Sequence, residues 1–557
     1  MKHLKFWPQN LEQWTLLYFV LPWPFFFFGN FRLPWAVQFL ILFGYLVKRL
    51  WAYYARRRSA FTLPKLSGLT WYILILVLAL WALLAGTDGY FFHQNGDYEK
   101  HNAMLRALTE LPWPVSYAWP PGLDKYEEFR GTAYLIYYYG IYLLPAAVGK
   151  ILGMMVARVL FSLEILAGIF LAFVWFLRFC EKFKWWLPLI FIFASGLDIL
   201  GKLFTKNINL MDGVGHLEWW TDYVFWSYQS QTTLLFWVPQ HCISGWILAA
   251  ALFDMYWSQR KEPASPRDAG LEDVRLALPA TTPGAGPAIE RPRPWTWLLL
   301  MTMWSPFAVL GSAPLALIIV LRQLRPANRG GPWGWFPAIW KSIDWAEIGC
   351  CVLGLIPVLV FLSGDIATKP NQPFWKVHNP YEYWPKYLAF CFCEFGVLAY
   401  FMLPLIKKYM AQSYYRFTLL VVGMLCLFPW YYFGPYNDFT MRSSIPWLFL
   451  LWVMLAKVLL LPARDVTYWP KRHLVLLFLV GAITPLSEMS RAVRDRGNRM
   501  PYLSVLHIRL NVAAQYLGYE RSLYGRLFAK RFLPRFRLSE QIIEQWSKDY
   551  IKLRLND

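Results

Sequence analysis

The stretch Thr87–Val115, TDGYFFHQNGDYEKHNAMLRALTELPWPV, gathers more proton-exchanging groups than any other part of the chain. Asp97 and Glu99 follow the turn dipeptide Asn95-Gly96 and open a helical pattern over Tyr98–Leu111, and Asp88, His93, Lys100, His101 and Asn102 crowd round them. A carboxylate or imidazole within hydrogen-bond reach of a substrate hydroxyl can act as a general base, so these residue types point to proton abstraction. The plainer alternative for Asp97 and Glu99 is stabilisation of a helix start, where carboxylates are favoured.

A second polar stretch, 201–240 with the adjoining His241, carries His216, Glu218, Trp219, Trp220, Asp222, Tyr223, Gln229 and Gln240. Aromatic faces stack on sugar rings and carboxylates bind hydroxyls, although Trp and Tyr also anchor helices at membrane interfaces. Basic residues suited to a phosphate are Arg442, Lys202, Lys206 and, when protonated, His241. Arg442 stands in YNDFTMRSSIP, where a guanidinium can take a phosphate bidentately or pair with Asp438.

The elements that must position these residues are apolar. Of 557 residues 57% are hydrophobic, 19% aromatic and 16% charged, against about a quarter charged in a typical soluble domain. About thirteen runs approach the ~20 residues a spanning helix needs: 14–28, 35–47, 71–85, 159–177, 187–200, 242–257, 295–310, 313–321, 348–362, 387–406, 417–431, 445–461 and 474–486. The fold expected is an all-α polytopic membrane protein. The net charge of +21 lies largely in short connections between runs, which fits membrane orientation and excludes a nucleic-acid-binding domain. The seven cysteines lie in or beside apolar runs without zinc spacing, and no cleavable signal peptide is recognisable.

The acid-free stretch Lys48–Lys65 belongs in the cytoplasm by the positive-inside rule. The loops 87–131 and 201–240 then face outward, as do 364–385 and 433–444. Arg178, Lys182, Lys184, the segments 260–294, 407–416 and 464–472 stay inside, provided 134–152 is re-entrant or interfacial. The chain divides into an N-terminal membrane half (1–259), a Pro- and Ala-rich cytoplasmic linker (260–294), a C-terminal membrane half (295–488) and an outer basic helical tail (489–557) with helical spacing at 508–519 and 538–551.

A cytoplasmic amino terminus, many spans and an Asp-x-Glu motif in a large outer loop resemble the C-type (GT-C) membrane glycosyltransferases. The Tyr137-Tyr138-Tyr139-Gly140 run and the Gly153–Arg158 connection are similar to the segment after the catalytic loop in the polyprenyl-phosphate-sugar branch. The strings NGDYEKHN, SGLDILG, HLEWW, WVPQH and NDFTMRSSIP also resemble a group of bacterial multispanning proteins. Glu218-Trp219-Trp220 is similar to the Trp-Trp-Asp element of oligosaccharyltransferases, with the acid on the opposite side. One departure is that two spans, not none, precede the span leading into the acidic loop.

The resemblance implies transfer of a sugar, with inversion, from a polyprenyl-phosphate donor to a glycan, glycolipid or protein acceptor on the outer face of a bacterial cytoplasmic membrane. Asp97 would be the base and Glu99 its assistant. Asp88, His101, Asn102, Tyr138, Glu218, Trp219, Trp220, Gln240 and His241 would bind substrate, and Lys202 and Arg442 the lipid phosphate. No cofactor or metal is expected, although Asp97 and Glu99 with waters have the oxygen donors for Mg²⁺ or Mn²⁺. Two alternatives remain: an O-antigen ligase or polymerase type of enzyme, and a proton-coupled transporter or lipid flippase using the intramembrane acids Glu164 and Glu394, unless those acids pair with Lys150, Arg158 or a neighbouring helix.

Overall fold

The computed structural model describes residues 10–57, 59–118, 132–204, 217–221, 226–259, 293–323, 343–363, 371–376, 380–434, 436–462, 468–497, 500, 516–519 and 522–529. The linker 260–292, Lys206, His216, Asp222, Tyr223 and the expected tail helix 538–551 lie outside them. The described chain is a helical bundle with two small sheets.

Six described helices are long and apolar enough to cross a membrane: Leu33–Arg56, Met154–Cys180, Trp345–Leu362, Tyr383–Tyr409, Gln412–Trp430 and Pro470–Arg494. Gly68–Leu84, Gly140–Leu152, Pro306–Arg322 and Ile445–Leu459 are apolar but shorter. The helix Pro239–Ser258 is buried from Pro239 to Trp257, so the chain wraps its own helices around this one.

The runs read as thirteen spans are therefore not all continuous helices. The run 14–28 is split into Leu11–Val20 and Pro22–Asn30 at Leu21. The run 187–200 is two seven-residue helices, Leu187–Phe193 and Asp198–Phe204, joined by non-helical residues. Ser195-Gly196 lets this backbone come close to its neighbours: Gly481 Cβ, if present, would stand 2.8 Å from the Ser195 carbonyl. The runs 295–310 and 313–321 break earlier than expected, into Pro294–Met301 and Pro306–Gln323. Hydropathy sees the apolar length but not these breaks, which neighbouring helices tolerate by satisfying the freed backbone groups. Lys48–Arg56, read as a connection, continues the helix Leu33–Arg56.

Contacts sort the connections into two ends. Arg49 pairs with Asp344 at 2.5 Å, and Arg293 reaches Asp344 at 3.3 Å and Glu347 at 2.8 Å. Arg57 pairs with Asp254 at 3.4 Å, Arg178 with Glu12 at 2.8 Å, and Lys457 with Glu181 at 3.4 Å. Each pair joins segments that the positive-inside reading puts together in the cytoplasm. The segments expected outside meet one another as well. Ser116–Ala118, Thr132–Leu135 and Leu517–Tyr519 form one antiparallel sheet, and Asn371–Pro373 pairs with Tyr431–Phe433.

The tail thus contributes a strand at Leu517–Tyr519, where helical spacing was read. Its sheet partners set that conformation, and period alone does not report them.

The Gly140–Leu152 helix does not run to the basic end. Gly153, at φ +94°, turns the chain so that Gly149 packs on Ala157 and Tyr142 stacks on Phe161. Phe161 and Arg178 are separated by about 25 Å at 1.5 Å per residue, close to the thickness of a bilayer's apolar core. The Gly140–Leu152 helix thus packs antiparallel on the first turns of Met154–Cys180 and is shorter than a spanning helix.

Candidate functional site

Asp97 lies in the first turn of the helix Asp97–Glu110, which Asn95 initiates by accepting the Asp97 N–H at 3.0 Å. The Asp97 carboxylate, 32% exposed, takes the Lys100 ammonium at 2.8 Å, one turn along. Burial pushes the Asp97 carboxyl up, but the charges of Lys100 and Arg442 more than offset it and hold the group below the usual carboxylate range. Asp97 is ionised at neutral pH.

His101 is fully buried behind them. Its Nε2 donates to the Trp237 carbonyl at 2.9 Å, which leaves Nδ1 to accept the Tyr142 hydroxyl. Burial, reinforced by Lys100, brings the imidazole down to about 3. It is neutral, and both ring nitrogens are occupied, so His101 fixes the helix against Trp237 and is not open to substrate.

Arg442 enters from the short helix Asp438–Ser443. Asn437, in the left-handed region at φ +53°, caps that helix by accepting the Thr440 N–H. The helix packs on Pro306–Gln323 where Gly311 faces the Ser443 carbonyl, with no room for a Cβ. Arg442 Nη2 pairs with Asp438 at 2.9 Å, Nη1 donates to the Tyr138 hydroxyl at 2.8 Å, and the guanidinium stands 5.7 Å from the Phe307 ring centroid. Burial opposes the charge but Asp438 raises the pKa above the ordinary arginine value, so the cation is kept. Both readings of Arg442 coexist: it is tied to Asp438 and it faces the Asp97 neighbourhood.

Tyr137 and Tyr138 line the remaining side. Tyr138 lies 4.9 Å from His241 between ring centroids, and His241 Nδ1 is 2.7 Å from Ser305 Oγ with Nε2 unpartnered among the described residues. Gln240 Nε2 donates to the Tyr137 hydroxyl at 3.5 Å. Tyr516, from the tail, meets Tyr137 edge-on at 5.0 Å, and its carbonyl accepts the Ile136 N–H at 2.8 Å. Gly140, which follows, packs against the Met303 carbonyl, 2.9 Å from where a Cβ would sit.

Asp97, Lys100, Tyr138, Gln240, His241 and Arg442 therefore form one electrostatic neighbourhood, drawn from four separate segments. Other expected residues fall elsewhere. Glu99 is two residues from Asp97 on the same helix, and positions i and i+2 do not share a face. Asp88 Oδ2 accepts the N–H groups of Tyr90 and Phe91 at 3.1 Å each and shapes the loop. Asn102 donates to Gln94 and to the Met500 carbonyl, both at 2.9 Å. Glu218 is buried and accepts the Ser230 N–H at 2.7 Å, Trp219 stacks on Tyr436, and Trp220 Nε1 donates to Glu394 at 3.1 Å. Lys202 stands on the helix Asp198–Phe204.

Neither intramembrane acid pairs with Lys150 or Arg158: Lys150 hydrogen-bonds the Leu111 carbonyl, and Arg158 donates to the Tyr90 hydroxyl at 2.7 Å. Ser305, Phe307, Tyr137 and Tyr516 had no part in the expected site. The Tyr137-Tyr138 run was the one local signal for them. Among the described residues no group of three His, Cys, Asp or Glu side chains is placed to hold a metal ion.

The arrangement offers an ionised carboxylate, two cations and a phenol within electrostatic reach of one another. It can accept a proton from a hydroxyl and stabilise an anionic leaving group. No protein-family model matches the chain, and no curated protein or solved structure matches it.

Proposed function

We propose that the chain is a membrane glycosyltransferase that moves a sugar from a polyprenyl-phosphate donor to an extracytoplasmic hydroxyl or amide. The observation that carries this reading is that Asp97, paired with Lys100, lies within electrostatic reach of Arg442, which Tyr138 holds by a hydrogen bond.

In the reaction the acceptor proton goes to the Asp97 carboxylate as the acceptor oxygen bonds the anomeric carbon. The bond from that carbon to the phosphate oxygen breaks with inversion, and the lipid phosphate leaves with the electron pair. Charge-assisted hydrogen bonds from Arg442, with Lys100 nearby, suit that developing anion. Tyr138 holds Arg442 in place, and His241 lies against Tyr138.

The test is release of polyprenyl phosphate from a panel of polyprenyl-phosphate sugars by protein in nanodiscs, compared with Asp97→Asn. Turnover that needs Asp97 supports the reading. A protein that releases no lipid phosphate from any donor, or whose activity needs Glu164 and Glu394 but tolerates Asp97→Asn, belongs to the transporter class instead.

A further inference from the structure

The first turn of the buried helix Pro239–Ser258 carries two polar atoms that the transfer step does not use. His241 Nε2 and Gln240 Oε1 have no partner among the described residues, and both side chains are fully buried. A buried donor or acceptor left unmet costs more than one in water, so two on adjacent residues mark a place built to receive a ligand.

The hydrogen bonds around them fix what each atom offers. Ser305 Oγ accepts the Ala308 N–H at 3.1 Å and stands 2.7 Å from His241 Nδ1. The Ser305 proton has no other acceptor among the described residues, so it goes to Nδ1. The neutral ring then carries its own hydrogen on Nε2. The opposite tautomer would strand both the Ser305 proton and a ring nitrogen. Gln240 Nε2 donates to the Tyr137 hydroxyl, which identifies the unmet Oε1 as an acceptor. A donor and an acceptor therefore stand on neighbouring residues.

Their place relative to Arg442 follows from shared neighbours. Tyr138 accepts from Arg442 at 2.8 Å, and its ring lies 4.9 Å from that of His241. The Phe307 ring is 5.7 Å from the Arg442 guanidinium and 6.4 Å from the His241 ring. His241 and Arg442 thus flank the same two rings, and Gln240 reaches Tyr137, which packs on Tyr138 at 3.9 Å. A phosphate held by Arg442 carries its sugar into this neighbourhood.

The two atoms suit the sugar and not the phosphate. An ionised phosphate can accept from His241 but has no hydrogen to give Gln240. Hydroxyls both donate and accept, so neighbouring hydroxyls on one ring satisfy both atoms.

We propose, building on the glycosyltransferase reading, that His241 Nε2–H and Gln240 Oε1 read hydroxyls of the donor sugar, with Ser305 as the positioning residue that sets the imidazole tautomer. The ligand class is a hydroxylated sugar ring on polyprenyl phosphate. Selectivity follows, because a site built to hydrogen-bond a hydroxyl rejects the analogue that lacks it and leaves the buried partner unmet.

The test measures affinity in nanodiscs for bare polyprenyl phosphate and for polyprenyl-phosphate glucose, galactose, mannose and N-acetylglucosamine. In the wild type the best of these sugars should bind at least about tenfold tighter than the bare lipid phosphate. Gln240→Met, His241→Phe and Ser305→Ala should each lose about tenfold of that advantage and keep bare-phosphate affinity within about twofold, and Ser305→Thr, which retains the hydroxyl, should restore it. Unchanged sugar advantage in Gln240→Met and His241→Phe, or equal losses for sugar-bearing and bare lipid, overturn the proposal.

A deoxy series of the best-bound donor gives a readout on the wild type itself. Removal of at least one ring hydroxyl should cost about tenfold, and indifference to every removal overturns the proposal even where the variants fail to fold. Lipid-phosphate release that needs Asp97, with sugar affinity indifferent to Gln240 and His241, sinks this proposal alone. A wild type that binds no polyprenyl phosphate sinks the transfer reading with it.

Discussion

Asp97→Asn separates chemistry from architecture, because the structure gives the two very different magnitudes. A positioned general base contributes about a hundredfold or more to rate, equivalent to roughly 2.7 kcal/mol of transition-state stabilisation. The structural loss is smaller. Asp97 is one third exposed, and its i,i+3 pair with Lys100 is of a kind worth about 0.3–0.5 kcal/mol on a helix. Removing an acid from the first turn forfeits about 0.3–1 kcal/mol of helix-dipole stabilisation.

The sum, at most about 1.5 kcal/mol, corresponds to a Tm shift of about 1 °C in a protein of this size. The assay pairs lipid-phosphate release in nanodiscs with thermal unfolding of the same preparation. Turnover should fall at least about a hundredfold while Tm moves by only about 1 °C. Near-normal turnover refutes Asp97 as the base, and unfolding of the variant refutes the assignment of Asp97 to the site rather than to the scaffold.

Lys100→Met should raise the Asp97 pKa, since the ammonium holds it down while burial pushes it up, and the acid limb of kcat/KM should move to higher pH; an unmoved limb contradicts the pairing. Tyr138→Phe removes the hydroxyl that fixes Arg442, a bond to a charged group worth about 1.5–3 kcal/mol, and should weaken donor binding about tenfold or more without unfolding; unchanged donor affinity counts against Arg442 as the phosphate ligand. Gly311→Ala forces a Cβ onto the Ser443 carbonyl, so a loss of about 1–3 kcal/mol with impaired donor binding is expected from unfolding and binding curves, and wild-type stability rules out the close packing. In membrane vesicles, an impermeant maleimide should label Glu110→Cys and Lys184→Cys from opposite sides, both positions being exposed; labelling from one side refutes the two-ended arrangement.

The sequence by itself determined the apolar, helical character of the chain and where its titratable groups crowd together. Long apolar runs cannot remain in water, basic connections orient them, and a dense local cluster such as Asp97–Lys100–His101 needs only one helix to form. It also picked out Arg442, because a basic residue beside the short Asn437-Asp438 turn is a local pattern.

Long-range pairing is not local. Met154–Cys180 was legible as a span, but the breaks in 187–204 depend on Cys393 and Gln231 supplying backbone partners from far along the chain. The strand Leu517–Tyr519 depends likewise on Thr132–Leu135 to pair with. Glu99 was expected to assist Asp97, but the helix sets positions i and i+2 on different faces. Glu218 and Trp220 looked like a sugar platform until burial set them against Ser230 and Glu394. Residue type and spacing fix what a short segment can do; only packing decides which distant segment satisfies a buried polar group, because an unpaired one inside the bundle is too costly to leave.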